Sequence, residues 1–332
     1  MLHRFTQVVA ACTLLLVLAG SLVTSTGSGL SVPDWPTSYG WNMFTFPPSK
    51  WVGGILYEHG HRLIASTVGF LTIVLAVWIW MREPRRWVKW TAIAALATVI
   101  AQGILGGLTV LLFLPAAIST GHAGLAEIFF GLTISIALFT SPKWIGEQNA
   151  SLPDRTLRML ATTTTALIYI QILVGATMRH TGAGLAIPDF PLMFGHVIPP
   201  RWDARIAVHF AHRVGALIVA ASVLATWTSI WRSRSMRSAV GTPTMLLATL
   251  VVVQIALGAL TVVTGRNVLI NSLHVVCGAL VFATSLVVTL RTWRAAFPEA
   301  ITLPRVTRQT DSAVLPQPDD RRSLQPAGGA RA

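Results

Sequence analysis

At 332 residues the chain is 53% hydrophobic and 11% charged, with a mean hydropathy of +0.63. A soluble domain carries about 25% charged residues, so the composition excludes an ordinary water-soluble protein and predicts an integral membrane protein. The net charge of +13 has no basic soluble domain to carry it, which removes nucleic acid from the partners.

Apolar runs of the roughly 20 residues needed to cross a bilayer recur eight times, near 5–24, 52–81, 89–113, 118–140, 157–178, 205–231, 244–264 and 268–290. The first, behind His3 and Arg4, has the look of a signal peptide. It is read instead as a retained helix, because the fifth run precedes a near-copy of the segment that follows the first, and an internal helix is not a cleaved signal. That segment, "TGSGLSVPDWP" at 26–36, returns as "TGAGLAIPDFP" at 181–191 with seven of eleven positions identical. Pro33, Pro36, Pro188 and Pro191 stiffen the two copies, and Gly27, Gly29, Gly182 and Gly184 permit tight bends. Two readings follow: a loop folded over the mouth of its helices, presenting Trp35 or Phe190 to a ligand, or a plain interfacial anchor.

Between the second and third runs, "MREPRRWVKW" holds Arg82, Arg85, Arg86 and Lys89. Lys143, Arg155 and Arg158 follow the fourth run, and Arg232, Arg234 and Arg237 follow the sixth. The opposite loops hold only Lys50, Arg179, Arg201 and Arg266. The positive-inside rule therefore predicts cytoplasmic termini and an outward-facing repeat segment. Residues 295–332 read as a disordered cytoplasmic tail.

The repeat extends through the helices. "YEHGHRL" at 57–63 aligns with "VHFAHRV" at 208–214, "QGILGGLTV" at 102–110 with "QIALGALTV" at 254–262, and His122 with His274. Four spans per copy is an even number, so both copies enter the membrane in the same sense. The expected fold is an all-α integral membrane protein with eight transmembrane helices as two tandem pseudo-symmetric four-helix bundles, N-in/C-in. Residues 1–145 form the first bundle and 146–294 the second. The glycines of the aligned motifs are expected to pack helices, and Gln102 and Gln254 to hydrogen-bond across them.

Histidine inside hydrocarbon is costly and marks a site. Of nine histidines, four recur at matched positions, His61 with His212 and His122 with His274. Two imidazoles from separate helices of a bundle suit the axial positions of a haem iron. Arg62 and Arg213 follow the earlier histidine of each pair; they are read either as propionate contacts or as residues that snorkel to the headgroups. Glu58 lies three residues before His61, whereas the same place before His212 is His209. This asymmetry points to chemistry in the first copy and electron transfer in the second, with Glu58 as proton carrier or, more plainly, as an ion-pair partner. "HFAH" lacks the second Glu-x-x-His of a di-iron site. His209 is expected to support the second site; His59, His180 and His196 are expected at the surface or behind the ligands.

Together "TGSGLSVPDWP", "EHGHR", "QGILGGLTV", "TGHAGLAE" and "HFAHR" resemble the haem A synthase family over residues 5–292. The resemblance implies oxidation of the C8 methyl of haem O to the formyl of haem A by successive hydroxylations, for cytochrome oxidase assembly, in a bacterial inner membrane. It implies substrate haem ligands His61 and His122, catalytic Glu58, and a haem b cofactor on His212 and His274. Haem O, membrane lipid, an electron acceptor, haem O synthase and oxidase assembly factors are the implied partners. Many members carry a cysteine pair in the first outer loop, and residues 25–51 hold none; Cys12 and Cys277 are read as packing residues. A two-haem electron carrier without substrate chemistry explains the histidines but not the Glu58/His209 difference. A transporter of parallel repeats predicts midplane polar breaks that the runs lack.

Overall fold

Every predicted apolar run becomes a long helix in the structure, a computed structural model that describes residues 1–146 and 154–297. In chain order these are α1 (Leu2–Ser25), α2 (Gly54–Arg82), α3 (Arg86–Leu111), α4 (Ala116–Phe139), the short α5 (Pro142–Gly146), α6 (Arg155–His180), α7 (Ala204–Arg232), α8 (Arg234–Val263) and α9 (Val268–Thr292). All but α5 are long and apolar enough to cross a membrane, and among the described residues no strand forms. Nearly all of the expected tail lies outside the described residues.

Local chemistry sets several boundaries. The Asp154 carboxylate accepts from Thr156 N at the start of α6, Asp203 from Ile206 N at α7, and Asn267 from Leu269 N and Ile270 N at α9. These caps satisfy donors that a helix start leaves open. One boundary differs from the sequence reading. The seventh run was expected to begin after Pro243, yet α8 begins at Arg234, with the Ser233 hydroxyl accepting from Met236 N, and carries Pro243 in its interior. Proline disrupts an established helix interior, but here nine helical residues with their own cap precede it.

Contacts run α1–α2–α3–α4 and back to α1, and separately α6–α7–α8–α9 and back to α6. Further contacts join α1 to α9, α4 to α6 and α4 to α9. The apolar window of α4 is 56% buried and that of α9 50%, against 11% for α8, so α4 and α9 form the centre and α8 faces outward. Small hydroxyls cross-link the apolar interior: Thr165 Oγ1 lies 2.7 Å from Ser285 Oγ and 2.8 Å from Thr289 Oγ1, and Thr164 Oγ1 2.9 Å from Thr226 Oγ1. Such bonds suit helices that lack a hydrophobic driving force between them. At the end away from the repeated loops, Phe139, Trp144, Trp87 and Phe297 form an aromatic cluster. Beside it Arg85 pairs with Glu83 at 2.6 Å and donates to Phe139 O.

Candidate functional site

The repeated loops are built alike. After α1, Asp34 accepts from Tyr39 N at 2.7 Å and Gly40 N at 2.8 Å. After α6, Asp189 accepts from Phe194 N at 2.7 Å and Gly195 N at 2.8 Å. Tyr39–Gly40 and Phe194–Gly195 all have positive φ, and Trp35–Pro36 and Phe190–Pro191 are both cis. Burial alone would raise the Asp34 pKa, but the N–H groups of Gly40 and Tyr39 and the Thr37 hydroxyl outweigh it and hold the carboxyl below its ordinary value. The N–H groups of Gly195 and Phe194 do the same for half-buried Asp189. The sequence reading missed both aspartates as structural keys. The signal was there, since each repeated Asp is followed six residues later by glycine, at 40 and at 195.

The arginines after the first histidine of each pair grip these loops. Arg62 Nη1 donates to Asp34 O and Thr37 O, and Nη2 to Val32 O and Glu58 Oε1. Only its Nε–H is left for another acceptor, because a guanidinium has five donors in all. Arg213 donates to Leu192 O, Ile187 O and Asp189 O, and lies over the Phe190 ring. The structure thus spends these guanidiniums chiefly on backbone carbonyls, a role that neither sequence reading contained.

Glu58 is 3% exposed; one oxygen pairs with Arg62 at 2.8 Å and the other accepts from Val32 N at 2.8 Å. His209, 2% exposed, accepts from Ile187 N at Nδ1, 3.3 Å away. Val32 and Ile187 occupy the same place in the repeat, so carboxylate and imidazole clasp equivalent loop N–H groups. His59, read from sequence as either a surface residue or one behind the ligands, is fully buried. It lies against the Phe46 and Trp51 rings, with Nδ1 3.1 Å from Ser38 Oγ. The first loop is the longer and more aromatic, and it closes over that position. His196 is exposed, and His180 ends α6.

Below the loops, the structure brings the four repeated histidines together in pairs. The His212 and His274 rings have centroids 6.4 Å apart at 73°. His61 and His122 lie within electrostatic range of one another. All four residues are only partly buried, yet Nδ1 of His61, His122 and His274 is buried without a partner. Each ring presses its Cε1 edge on a glycine of a neighbouring helix. A methyl on Gly20 would stand 3.0 Å from His61 Cε1, on Gly106 3.3 Å from His122, on Gly175 2.9 Å from His212, and on Gly258 3.1 Å from His274. The glycines read from sequence as helix-packing positions therefore include two, Gly106 and Gly258, that seat imidazoles.

Next to Gly106, a methyl on Gly107 would meet the Trp35 ring at 2.5 Å. The first loop thus lays its tryptophan on α3 beside the seat of His122. Among the described residues no three His, Cys, Asp or Glu side chains gather into a metal cage; the arrangement offers imidazole pairs. Metal–imidazole bonds of about 2 Å, with each ring nitrogen about 1 Å from its centroid, place two imidazoles across one iron roughly 6 Å apart. The His212–His274 spacing fits that demand. Cys277 is buried, with Sγ 3.5 Å from Leu250 O, and Cys12 is partly buried; both are free.

The chain is also similar to known proteins. A family model, COX15-CtaA, described as cytochrome oxidase assembly protein, matches residues 3–286. A protein named Heme A synthase from Symbiobacterium thermophilum is 31% identical over 278 residues, covering 80% of this chain and 86% of its own. One of the same name from Halalkalibacterium halodurans is 29% identical over 290 residues, covering 85% and 95%. Another, from Geobacillus kaustophilus, is 26% identical over 302 residues, covering 89% and 93%.

Proposed function

The chain belongs to the cytochrome oxidase assembly family, and from that premise we propose that it is a haem A synthase, an oxidoreductase that converts the C8 methyl of haem O to a formyl group by successive hydroxylations. The observation that carries the reading is the paired imidazoles, each seated on a helix glycine, at matched positions of a duplicated sequence. The two closed circuits of helix contacts support reading the chain as a duplicated four-helix unit. Haem O is the substrate of the first copy, between His61 and His122. His212 and His274 would hold haem b, which supplies one-electron redox chemistry when bound. Excess Arg and Lys at the end away from the repeated loops supports cytoplasmic termini in a bacterial inner membrane.

The rest is done by the chain. Gly20 and Gly106 set the rings of the first pair, and Trp35 packs on Gly107 beside the seat of His122. Glu58 is the carboxylate nearest to His61 in sequence, one helical turn away, and it is the group placed to move a proton at the first site. Because the same carboxylate holds Val32 N and Arg62, its charge also governs how the loop closes.

Expression in a host that makes haem O, followed by pigment extraction and chromatography, tests the proposal. The expected result is haem A in the extract and haem b bound to the protein. Two bound haems with haem O left unchanged would favour the electron-carrier reading. Glu58→Gln retains an acceptor for Val32 N but no charge; it is expected to bind both haems and to stop conversion. A normal yield of haem A from that variant would remove Glu58 from the chemistry.

A further inference from the structure

Two arginines stand at the outer end of the second copy with no carboxylate beside them. Arg179 lies four residues after Gly175, the glycine that seats His212, so it shares that face of α6 one turn nearer the repeated loop. Its Nη2 donates to Ser21 O of α1 at 2.8 Å and to Ser25 Oγ at 2.7 Å, which leaves Nη1 and Nε for another acceptor. Its charge lies within electrostatic range of both His274 and Arg266. Arg266, in the turn between α8 and α9, runs its side chain over the second loop, where a methyl on Gly184 would stand 3.6 Å from its Cδ. Among the described residues the ion pairs are Glu58–Arg62 and Glu83–Arg85, so neither guanidinium has a carboxylate partner.

The repeat shows that the charge, and not the backbone, is particular to this copy. The turn itself recurs, with φ 65° at Arg266 and 58° at its counterpart Leu114. Leu114 lies over Gly29 as Arg266 lies over Gly184, an added methyl standing 3.3 Å from its Cδ1. Arg179 corresponds to Thr24. The first copy thus carries leucine and threonine where the second carries two guanidiniums. Like charges near one another away from bulk water repel, and guanidiniums so placed suit carboxylates or phosphates. Arg213, the arginine next to His212 in sequence, is spent on three loop carbonyls.

We infer that Arg179 and Arg266 form a carboxylate clamp that receives the propionate groups of the haem held by His212 and His274. This rests on the reading of those two histidines as haem ligands. A lipid phosphate at the outer headgroup level offers the same chemistry, and the test separates the two sources.

The test uses the full-length chain with His61→Ala and His122→Ala, which leaves a single imidazole pair, made in a haem-deficient host and purified in detergent. Protohaem and its dimethyl ester, which differ only at the two carboxylates, are titrated in and followed by the absorbance of low-spin iron. Protohaem should bind the more tightly. Arg266 is exposed and makes no side-chain hydrogen bond among the described residues, so Arg266→Gln should keep the melting temperature. It should cut the preference for the free acid about 10-fold, the worth of one charge-assisted bond. Arg213→Gln, which loses loop contacts, should leave that preference unchanged. Equal affinities in the parent chain, an unchanged preference in Arg266→Gln, or a preference abolished by Arg213→Gln would each overturn the inference while leaving the histidine ligands intact. Phosphatidylglycerol is the second probe. If it raises the melting temperature of the parent and not of Arg266→Gln, while both prefer protohaem equally, the pair serves lipid headgroups and the inference falls. A parent chain that binds neither haem would remove the ligand reading as well.

Discussion

Gly258 gives the sharpest residue-scale prediction. A methyl there would lie 3.1 Å from His274 Cε1, closer than packed carbon atoms rest, so the ring must turn. Gly258→Ala is expected to lower haem b content about 10-fold and to shift the low-spin ferric signal in electron paramagnetic resonance. Gly103→Ala, with nothing within 4 Å of the added methyl, should leave that signal alone; equal effects in both variants would refute the seat. Arg62 gives a second prediction. Its side chain is 10% exposed and pairs with a Glu58 side chain 4% exposed, and removing one partner of a buried pair costs about 3–5 kcal/mol. Arg62→Leu should destabilise the solubilised protein on that scale in thermal melts. Arg62→Lys should rescue it poorly, because a single ammonium cannot span three carbonyls and a carboxylate.

The loops are the elements whose behaviour depends on pH. The folded-state pKa of Asp34 and of Asp189 is depressed, so their contribution to loop order is fully present above the ordinary aspartate pKa of about 4 and is lost as pH falls through the lower folded value. Loop order should therefore hold at neutral and mildly acidic pH and fail only in stronger acid. Trp35 and Trp41 fluorescence in reconstituted vesicles would follow the change. Asp34→Asn should move it away from the acid range, and an unaltered acid transition in that variant would show that another group controls the loop. At the same scale, Asp34, Asp189 and their glycines were legible as repeated letters. Their work was not, because a carboxylate that collects N–H groups five and six residues ahead is recognised only once the chain turns back.

For the whole molecule, the contacts among α1, α4, α6 and α9 matter most. Arg179 Nη2 from α6 donates to Ser21 O and Ser25 Oγ of α1, and Asn271 and Ser272 of α9 reach the same Ser25 hydroxyl. Deeper along α4, Glu127 is 5% exposed and its Oε2 has no partner. An unsatisfied buried acceptor costs about 1–3 kcal/mol, so Glu127→Met is expected to raise the melting temperature by several degrees with haem content unchanged. A lower melting temperature or lost haem would show that the carboxyl supports the centre of the molecule. Orientation is tested by single cysteines in a background without Cys12 and Cys277. Thr45→Cys should react with an impermeant maleimide added outside intact cells, and Arg86→Cys only after lysis.

Hydropathy, spacing and repetition within the chain determined eight spans, the duplicated loop and four histidines at matched positions, because burial in lipid and gene-level copying both leave marks in residue order. The tertiary structure alone decided which glycine meets which imidazole, that Arg62 and Arg213 hold loops, that His59 is buried, and that Arg179 reaches α1. Those facts depend on side chains from helices far apart in sequence meeting at a few ångströms. A one-dimensional pattern carries the period of a helix, but the partner it faces is chosen only when the helices pack.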